Sequence, residues 1–356
     1  MKNLIFISFL LASPFVFGQS SDVVAAKSYM SLLSSQIVGR PLNASEINLI
    51  ERGAERSFSQ IVRQWVSSPE FLDSAQRYVE VFTRTSGQSG GVSYDLPGYI
   101  GRDIARRSRP YKELITANSC VDRNGNQTAC DTGSPFSAGL LTTRAFLRTT
   151  KGAYNISRAG KMTSRFLCST YPLPQSEEPK LDRAALVPEF ATTSGEITFG
   201  NGNNCYSCHA QFGKHTQVFI KFNLDGTYVP SATGLQVTGA TDGFSNNNLL
   251  TSHLRDPVRA QSERSEILGQ PVQNLREAAL VMANSQRFLP CAVQNMMRHF
   301  LRLSDQNMLS IKTDLYQVIA NEAIRLRSEP SFSHLIEAIV TNANVYNSFK
   351  NSGARP

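Results

Sequence analysis

The apolar positions of this chain recur mostly at helical spacing. Ser21 to Val38 carries such a face and stops near Gly39-Arg40-Pro41. Asn43-Ala44-Ser45-Glu46 has the form of a capping box, in which Asn43 accepts from the amide three residues on and Glu46 reaches back. Phe58, Ile61, Val62 and Trp65 continue an i, i+3, i+4, i+7 stripe. Ser68-Pro69-Glu70 predicts the next start, with Ser at the N-cap and Pro in the first turn. Beyond Pro271 two more stripes appear, one of Leu275, Ala278, Ala279 and Met282, the other of Val293, Met296, Met297 and Phe300. Phe58-Ser59-Gln60-Ile61-Val62 with Val66 is echoed by Phe332-Ser333-His334-Leu335-Ile336 with Val340. The echo reads either as similar helical hairpins flanking the middle of the chain or as chance between two amphipathic helices.

The middle breaks this pattern. Residues 86–135 are rich in Gly, Ser and Asn, and Tyr171-Pro172-Leu173-Pro174 through Glu178-Pro179 reads as a stiff linker. Phe199-Gly200-Asn201-Gly202-Asn203-Asn204 is a flexible lead into the next segment, and Asp225-Gly226 between alternating apolar residues signals a hairpin, with helix up to Phe222 as the alternative. The expectation is a mainly α fold: helical regions at 19–115 and 261–356 enclose a loop-rich region at 116–180 and a distinct segment at 181–260 with a short β-hairpin. Residues 1–18 stand apart. Lys2, the apolar run Leu4 to Leu11 and a small residue at Gly18 have the form of a secretory signal peptide, and the run is shorter than the roughly 20 residues that span a bilayer. The mature chain has no further apolar run long enough to cross a membrane, so a periplasmic or extracellular location is expected.

The formal net charge is +8, which in an exported protein suggests acidic partners and excludes nucleic acid as the natural one. The densest basic stretch is Arg102, Arg106, Arg107, Arg109 and Lys112, read as a solvated face ahead of a docking patch. Six cysteines occur, and an oxidising compartment favours disulfides for those not otherwise used. Cys120 and Cys130 flank a turn-rich stretch and read as a stapled loop. Cys168 and Cys291 are left over by arithmetic once the remaining two are assigned, with two buried free thiols as the alternative.

Those remaining two lie in Cys205-Tyr206-Ser207-Cys208-His209. Each fixed position of Cys-x-x-Cys-His does a separate job. Two thiols add across the vinyl groups of one haem, and the adjacent His becomes the proximal iron ligand. The candidate cofactor is therefore one covalent haem c on Cys205 and Cys208, with His209 as the axial ligand. A thioredoxin-like redox pair would need a βαβ context, and a structural zinc site would need a second ligand pair where only His215 is near. For the sixth iron position Met282 ranks first, ahead of Met296, Met297, His253 and His299; His215 follows His209 too closely to reach the opposite face. No nucleophile elbow or His-Glu-x-x-His pattern is present, and Glu177-Glu178 reads as solvated.

With these residues in place the chain resembles the planctomycete-type secreted proteins built from domains of unknown function around one cytochrome-c-like motif. The resemblance rests on Gly39-Arg40-Pro41, Ser67-Ser68-Pro69-Glu70-Phe71, Ala138-Gly139-Leu140-Leu141-Thr142, Arg158-Ala159-Gly160-Lys161, Leu167-Cys168, the haem motif, Phe222 and Gly226, Met282 to Phe288, Cys291 and Arg302. It implies haem binding at Cys205, Cys208 and His209, and it strengthens the Cys168–Cys291 pairing. Where such domains show Ile-Asp-Pro after the motif, this chain has Phe212-Gly213-Lys214. The expected function is one-electron transfer with a redox partner protein. A haem enzyme (a peroxidase or an oxidase subunit) with an open sixth position, and a secreted structural or adhesive protein with haem as a folding element, are the alternatives.

Overall fold

Helix α1 (Ser21–Ile37) buries Ala26, Tyr29, Met30, Leu33 and Ile37 along one face, as its apolar spacing requires. The computed structural model describes residues 21–150, 155–195, 204–232, 237–238, 248–249, 252–256, 261–304 and 313–351. The expected signal peptide (1–18) and the lead-in 199–203 lie outside the described residues.

The N-terminal helices continue with α2 (Ala44–Gly53), α3 (Phe58–Val66) and α4 (Pro69–Thr83). The capping box at α2 is complete: the Glu46 amide donates to Asn43 Oδ1 at 2.9 Å, and Glu46 Oε2 accepts from the Asn43 amide at 2.7 Å. Glu46 is itself 2% exposed and also accepts from Arg40 and from the Trp65 indole, the latter at 2.7 Å. One carboxylate thus joins the helix start to the α3 core. Glu46→Ala leaves the buried indole N–H without a partner, so a loss of about 1–3 kcal/mol is expected in urea unfolding. An unchanged midpoint would contradict this role.

Next come the hairpin β1 (Gln88–Ser89) and β2 (Val92–Ser93), α5 (Leu96–Arg106), α6 (Glu113–Thr116) and the hairpin β3 (Cys120–Val121) and β4 (Gln127–Thr128). Helices α4 and α5 lie close together because Gly101 has no side chain: a Cβ there would sit 2.4 Å from Val79 Cγ2. The basic stretch is paired off. Asp103, 3% exposed, accepts from Arg106 at 2.5 Å and Arg107 at 2.9 Å and lies 3.5 Å from Arg109, while Lys112 reaches Glu329.

Helices α7 (Arg144–Arg148), α8 (Asn155–Phe166) and α9 (Cys205–Gln217) form the middle. Helix α9 ends before Phe222, and the chain turns over Gly226 (φ +84°) so that Phe222 and Tyr228 form a single antiparallel bridge. The hairpin signal is therefore realised only as a minimal turn. Arg158 of α8 is fully buried against it, donating to the carbonyls of Phe222 (2.7 Å), Asn223 (2.5 Å) and Leu147 (3.2 Å) and to Asn155 Oδ1 (3.0 Å). Four oxygens satisfy the guanidinium without a contacting carboxylate, as a buried charge demands.

After β5 (Val237–Thr238), paired with β6 (Asn248–Leu249), and the hairpin β7 (Ser265–Ile267) and β8 (Gln270–Val272), the remaining described elements are all helices: α10 (Leu275–Ala283), α11 (Phe288–Phe300), α12 (Thr313–Leu326), α13 (Phe332–Thr341) and α14 (Ala343–Asn351). Every sheet among the described residues is a two-stranded antiparallel pair, and the fold is mainly α. No helix among the described residues is long and apolar enough to cross a membrane.

The two echoing segments do not flank the middle as separate hairpins. Helices α3 and α13 pack on each other, with Glu337 accepting from Ser59 and Arg63, both at 2.7 Å. Tyr29 meets Phe58, Tyr346 and Phe349 at ring-centroid distances of 5.5, 5.3 and 5.2 Å. The N- and C-terminal helices thereby share one core. Two disulfides reinforce the chain: Cys120–Cys130 across the β3–β4 loop and Cys168–Cys291 between the end of α8 and α11.

Candidate functional site

The haem motif forms the first turns of α9. Asn204 caps this helix by accepting from the Ser207 amide at 3.0 Å. Cys205 and Cys208 are half-buried and are free thiols, whereas the other four cysteines are bonded in pairs. Three residues apart on a helix, the two sulfurs lie on one side of it. Burial raises the Cys208 thiol above its ordinary value, and the Lys180 charge opposes that rise. Tyr206 anchors the turn to the preceding chain, donating its hydroxyl to the Leu181 carbonyl at 2.8 Å and its amide to Thr192 at 2.9 Å.

His209 lies within an aromatic group drawn from distant segments. Its ring is nearly parallel to Phe190, 4.4 Å between centroids, and 4.9 Å from His253; Phe190 lies 4.0 Å from His253 in turn. The backbone fixes His253 there. Leu186 and Leu254 form an antiparallel bridge, and the Val187 amide donates to the His253 carbonyl at 2.9 Å. Gly213 lets this strand approach α9, since a Cβ would meet His253 Cβ at 3.2 Å and Leu186 at 3.1 Å.

Two buried ring nitrogens in this group, His209 Nδ1 and His253 Nε2, have no hydrogen-bond partner among the described residues. His253 Nδ1 pairs with the Thr216 hydroxyl at 3.0 Å, which leaves Nε2 as the unpartnered nitrogen of the ring. Burial lowers the His209 pKa to about 4; burial, with His209 as a second cause, holds His253 well below the usual imidazole value. Both rings are therefore neutral near pH 7 and have lone pairs for a metal. Two free thiols, a neutral His and orphaned ring nitrogens together fit the donor set of a haem c. Among the described residues no group of three or more His, Cys, Asp or Glu could hold a metal ion directly; a haem iron needs only one or two protein ligands, because the macrocycle supplies the rest.

The other sequence candidates lie elsewhere. Met282 is fully buried in the main core on α10, Met296 and Met297 are buried on α11, and His299 lines a separate cavity with Tyr78. His215 is held by Glu178, and His334 caps α13 through Ser331. Of the five histidines, His253 is the one whose ring lies against His209.

Two expectations are corrected here. Glu178 is not solvated. It is fully buried, accepting from His215 Nε2 at 2.7 Å, Lys214 Nζ at 3.1 Å and the Leu268 amide at 2.5 Å, while Tyr171 contacts the other nitrogen of His215. Glu177 pairs with Arg287. Nor does the Pro-containing stretch, read as a stiff linker, stand apart from the helices: the Gln211 side chain bonds both the amide and the carbonyl of Leu173, at 2.8 and 2.9 Å, and the Glu178 carbonyl at 2.7 Å. The segment lies against α9 because one buried side-chain amide satisfies its backbone. The Phe212-Gly213-Lys214 departure has a local reason in the same contacts. Phe212 stacks on Tyr171 at 3.8 Å, Gly213 admits the His253 strand, and Lys214 bridges Glu178 and Glu266.

Comparison of the chain with family models, curated proteins and solved structures finds no match.

Proposed function

We propose that this chain is an exported c-type cytochrome that carries one haem on Cys205 and Cys208, with His209 as proximal ligand, and that exchanges single electrons with a partner protein. The observation that carries the reading is the pair of unbonded thiols one helical turn apart, beside a neutral His209, in a chain whose other cysteines are all paired. The resemblance to the planctomycete-type secreted proteins points the same way. Attachment would add each S–H across one vinyl C=C, sulfur and hydrogen going to its two carbons, with no external oxidant. When bound, the haem would supply a one-electron iron couple. The chain's own part is to hold it from one side through α9 and to exclude water with Phe190 and Phe212. The net charge of +8 favours an acidic redox partner.

For the sixth position His253 stands beside Met282 as a candidate, because its buried Nε2 is unpartnered; to reach the face opposite His209 its ring would have to leave its stacked place against that histidine. A bis-histidine iron would have a lower potential than a His/Met one.

The test is protein made in a host with haem-attachment machinery, run on a denaturing gel stained for haem and recorded as oxidised and reduced optical spectra. Haem should migrate with the wild-type chain and be lost in Cys205→Ala/Cys208→Ala; absence of covalent haem from the wild type would sink the reading. The reduced wild type should ignore carbon monoxide, whereas His253→Ala should bind it. Carbon monoxide binding by the wild type would favour the haem-enzyme alternative, and an unchanged low-spin spectrum in His253→Ala would return Met282 to the sixth position.

A further inference from the structure

Away from α9, a cavity of about 360 Å³ opens between α4, α8 and the carboxyl end of α11. Tyr78 and Phe82, 1% and 6% exposed, form its apolar floor, and Arg165, Arg298, His299 and Arg302 stand around it. We propose that this cavity binds a small organic anion, a carboxylate or phosphate carried on an aromatic ring, with the acid group on Arg165 and Arg302 and the ring on Phe82.

Three observations carry the assignment. The first is charge. The described residues that line the cavity include no Asp or Glu, and its cations are Arg165, Arg298 and Arg302, with Arg84 beside them. The cations feel one another: burial and then Arg84 lower the Arg165 pKa; burial, then Arg165 and Arg84, bring Lys161 down to about 7; burial, then Arg77 and Arg302, bring His299 down to about 4. The carboxyl ends of α4 and α11 offer about half an elementary charge each, well short of three guanidinium groups.

The second is backbone. Arg84 (φ 56°) and Arg302 (φ 51°) close α4 and α11 in the left-handed region, where glycine is the usual residue. A bulky side chain is strained in that position; Arg302 holds it in the cavity lining, and Arg84 holds it at the neighbouring end of α4. Both side chains are exposed, so neither is held in that conformation by burial.

The third is shape. The Arg165 guanidinium lies over the Phe82 ring at 5.9 Å, so cation and ring are already arranged side by side. An apolar floor with a few convergent polar groups and this volume is the usual form of a small-ligand pocket. Val81, 63% exposed at the rim, leaves an apolar entry.

Isothermal titration calorimetry on the full chain with phenyl phosphate, benzoate, inorganic phosphate and benzyl alcohol tests this. Phenyl phosphate and benzoate should bind one per chain, inorganic phosphate at least about tenfold more weakly, and benzyl alcohol not measurably. Arg302→Met and Arg165→Met should each weaken phenyl phosphate about tenfold or more. Val81→Glu, a surface change that places a carboxylate at the rim, should do the same and keeps the test valid should Arg165→Met fold poorly. Absence of binding, equal binding of phenyl phosphate and inorganic phosphate, or affinity unchanged in both Arg302→Met and Val81→Glu would each overturn the assignment.

Discussion

Glu178→Ala is expected to lower folding stability by about 3–5 kcal/mol, because it removes one partner from a buried group of charges. Lys214 and His215 are 3% and 0% exposed at the side chain, and both direct hydrogen bonds to Glu178. Lys214 would retain Glu266, but His215 Nε2 and the Leu268 amide would lose their acceptor. Glu178→Gln keeps an acceptor oxygen and should lose less. The same carboxylate gives stability a pH dependence. Burial alone would raise its pKa, yet the His215 hydrogen bond and charge, the Leu268 amide and Lys214 together hold it below the ordinary glutamate value. A depressed folded-state pKa contributes stability that is fully present above the unfolded value of about 4.3 and is lost as pH falls through the folded one. Urea midpoints should therefore drop in the wild type below about pH 4, and Glu178→Gln should drop less over that range. Parallel pH curves for the two proteins would show that the buried group does not carry this dependence.

Opening the Cys168–Cys291 bridge should have an effect of similar size. It closes a span of 123 residues, against 10 for Cys120–Cys130. In the chain-entropy account these correspond to about 5 and about 3 kcal/mol of unfolded-state restriction, with about 2–5 kcal/mol the usual measured loss for a native bridge. Cys168→Ala/Cys291→Ala should thus unfold at a clearly lower urea concentration than Cys120→Ala/Cys130→Ala. The longer bridge also ties the end of α8, which packs against the haem-motif helix, to α11. Equal midpoints for the two double variants would remove the special weight given to the longer span.

Local periodicity made much of this fold legible. The Asn43–Glu46 capping box, the start at Pro69 and the stripes Phe58 to Trp65, Leu275 to Met282 and Val293 to Phe300 all follow from helix geometry, and those stripe residues are buried. The Cys205 to His209 motif was legible for the same reason, since its spacing is local. What surrounds it was not. Phe190 and His253 reach His209 through a bridge between segments almost 70 residues apart, and only His253 could be named beforehand, as one of several ligands of suitable chemistry. Glu178 lay in a stretch whose prolines and paired acids suggested solvent; nothing local to it revealed that Gln211 and Lys214 would cover it. Arg165 and Arg302 show no common pattern in the chain, and only the packing of α4, α8 and α11 gathers them.

Tyr29 donates to the Val340 carbonyl, 311 residues away in the chain, at 3.3 Å. Its ring is covered in part by α14, while the rest of the inner face of α1 packs on α2, α3 and α4. During synthesis the Tyr29 edge of α1 is therefore shielded only once α13 and α14 have been made. Closure over such a span makes folding slow relative to proteins whose contacts are local, and nascent chains that end before α13 present Tyr29, Phe58 and Trp65 to any other exposed surface.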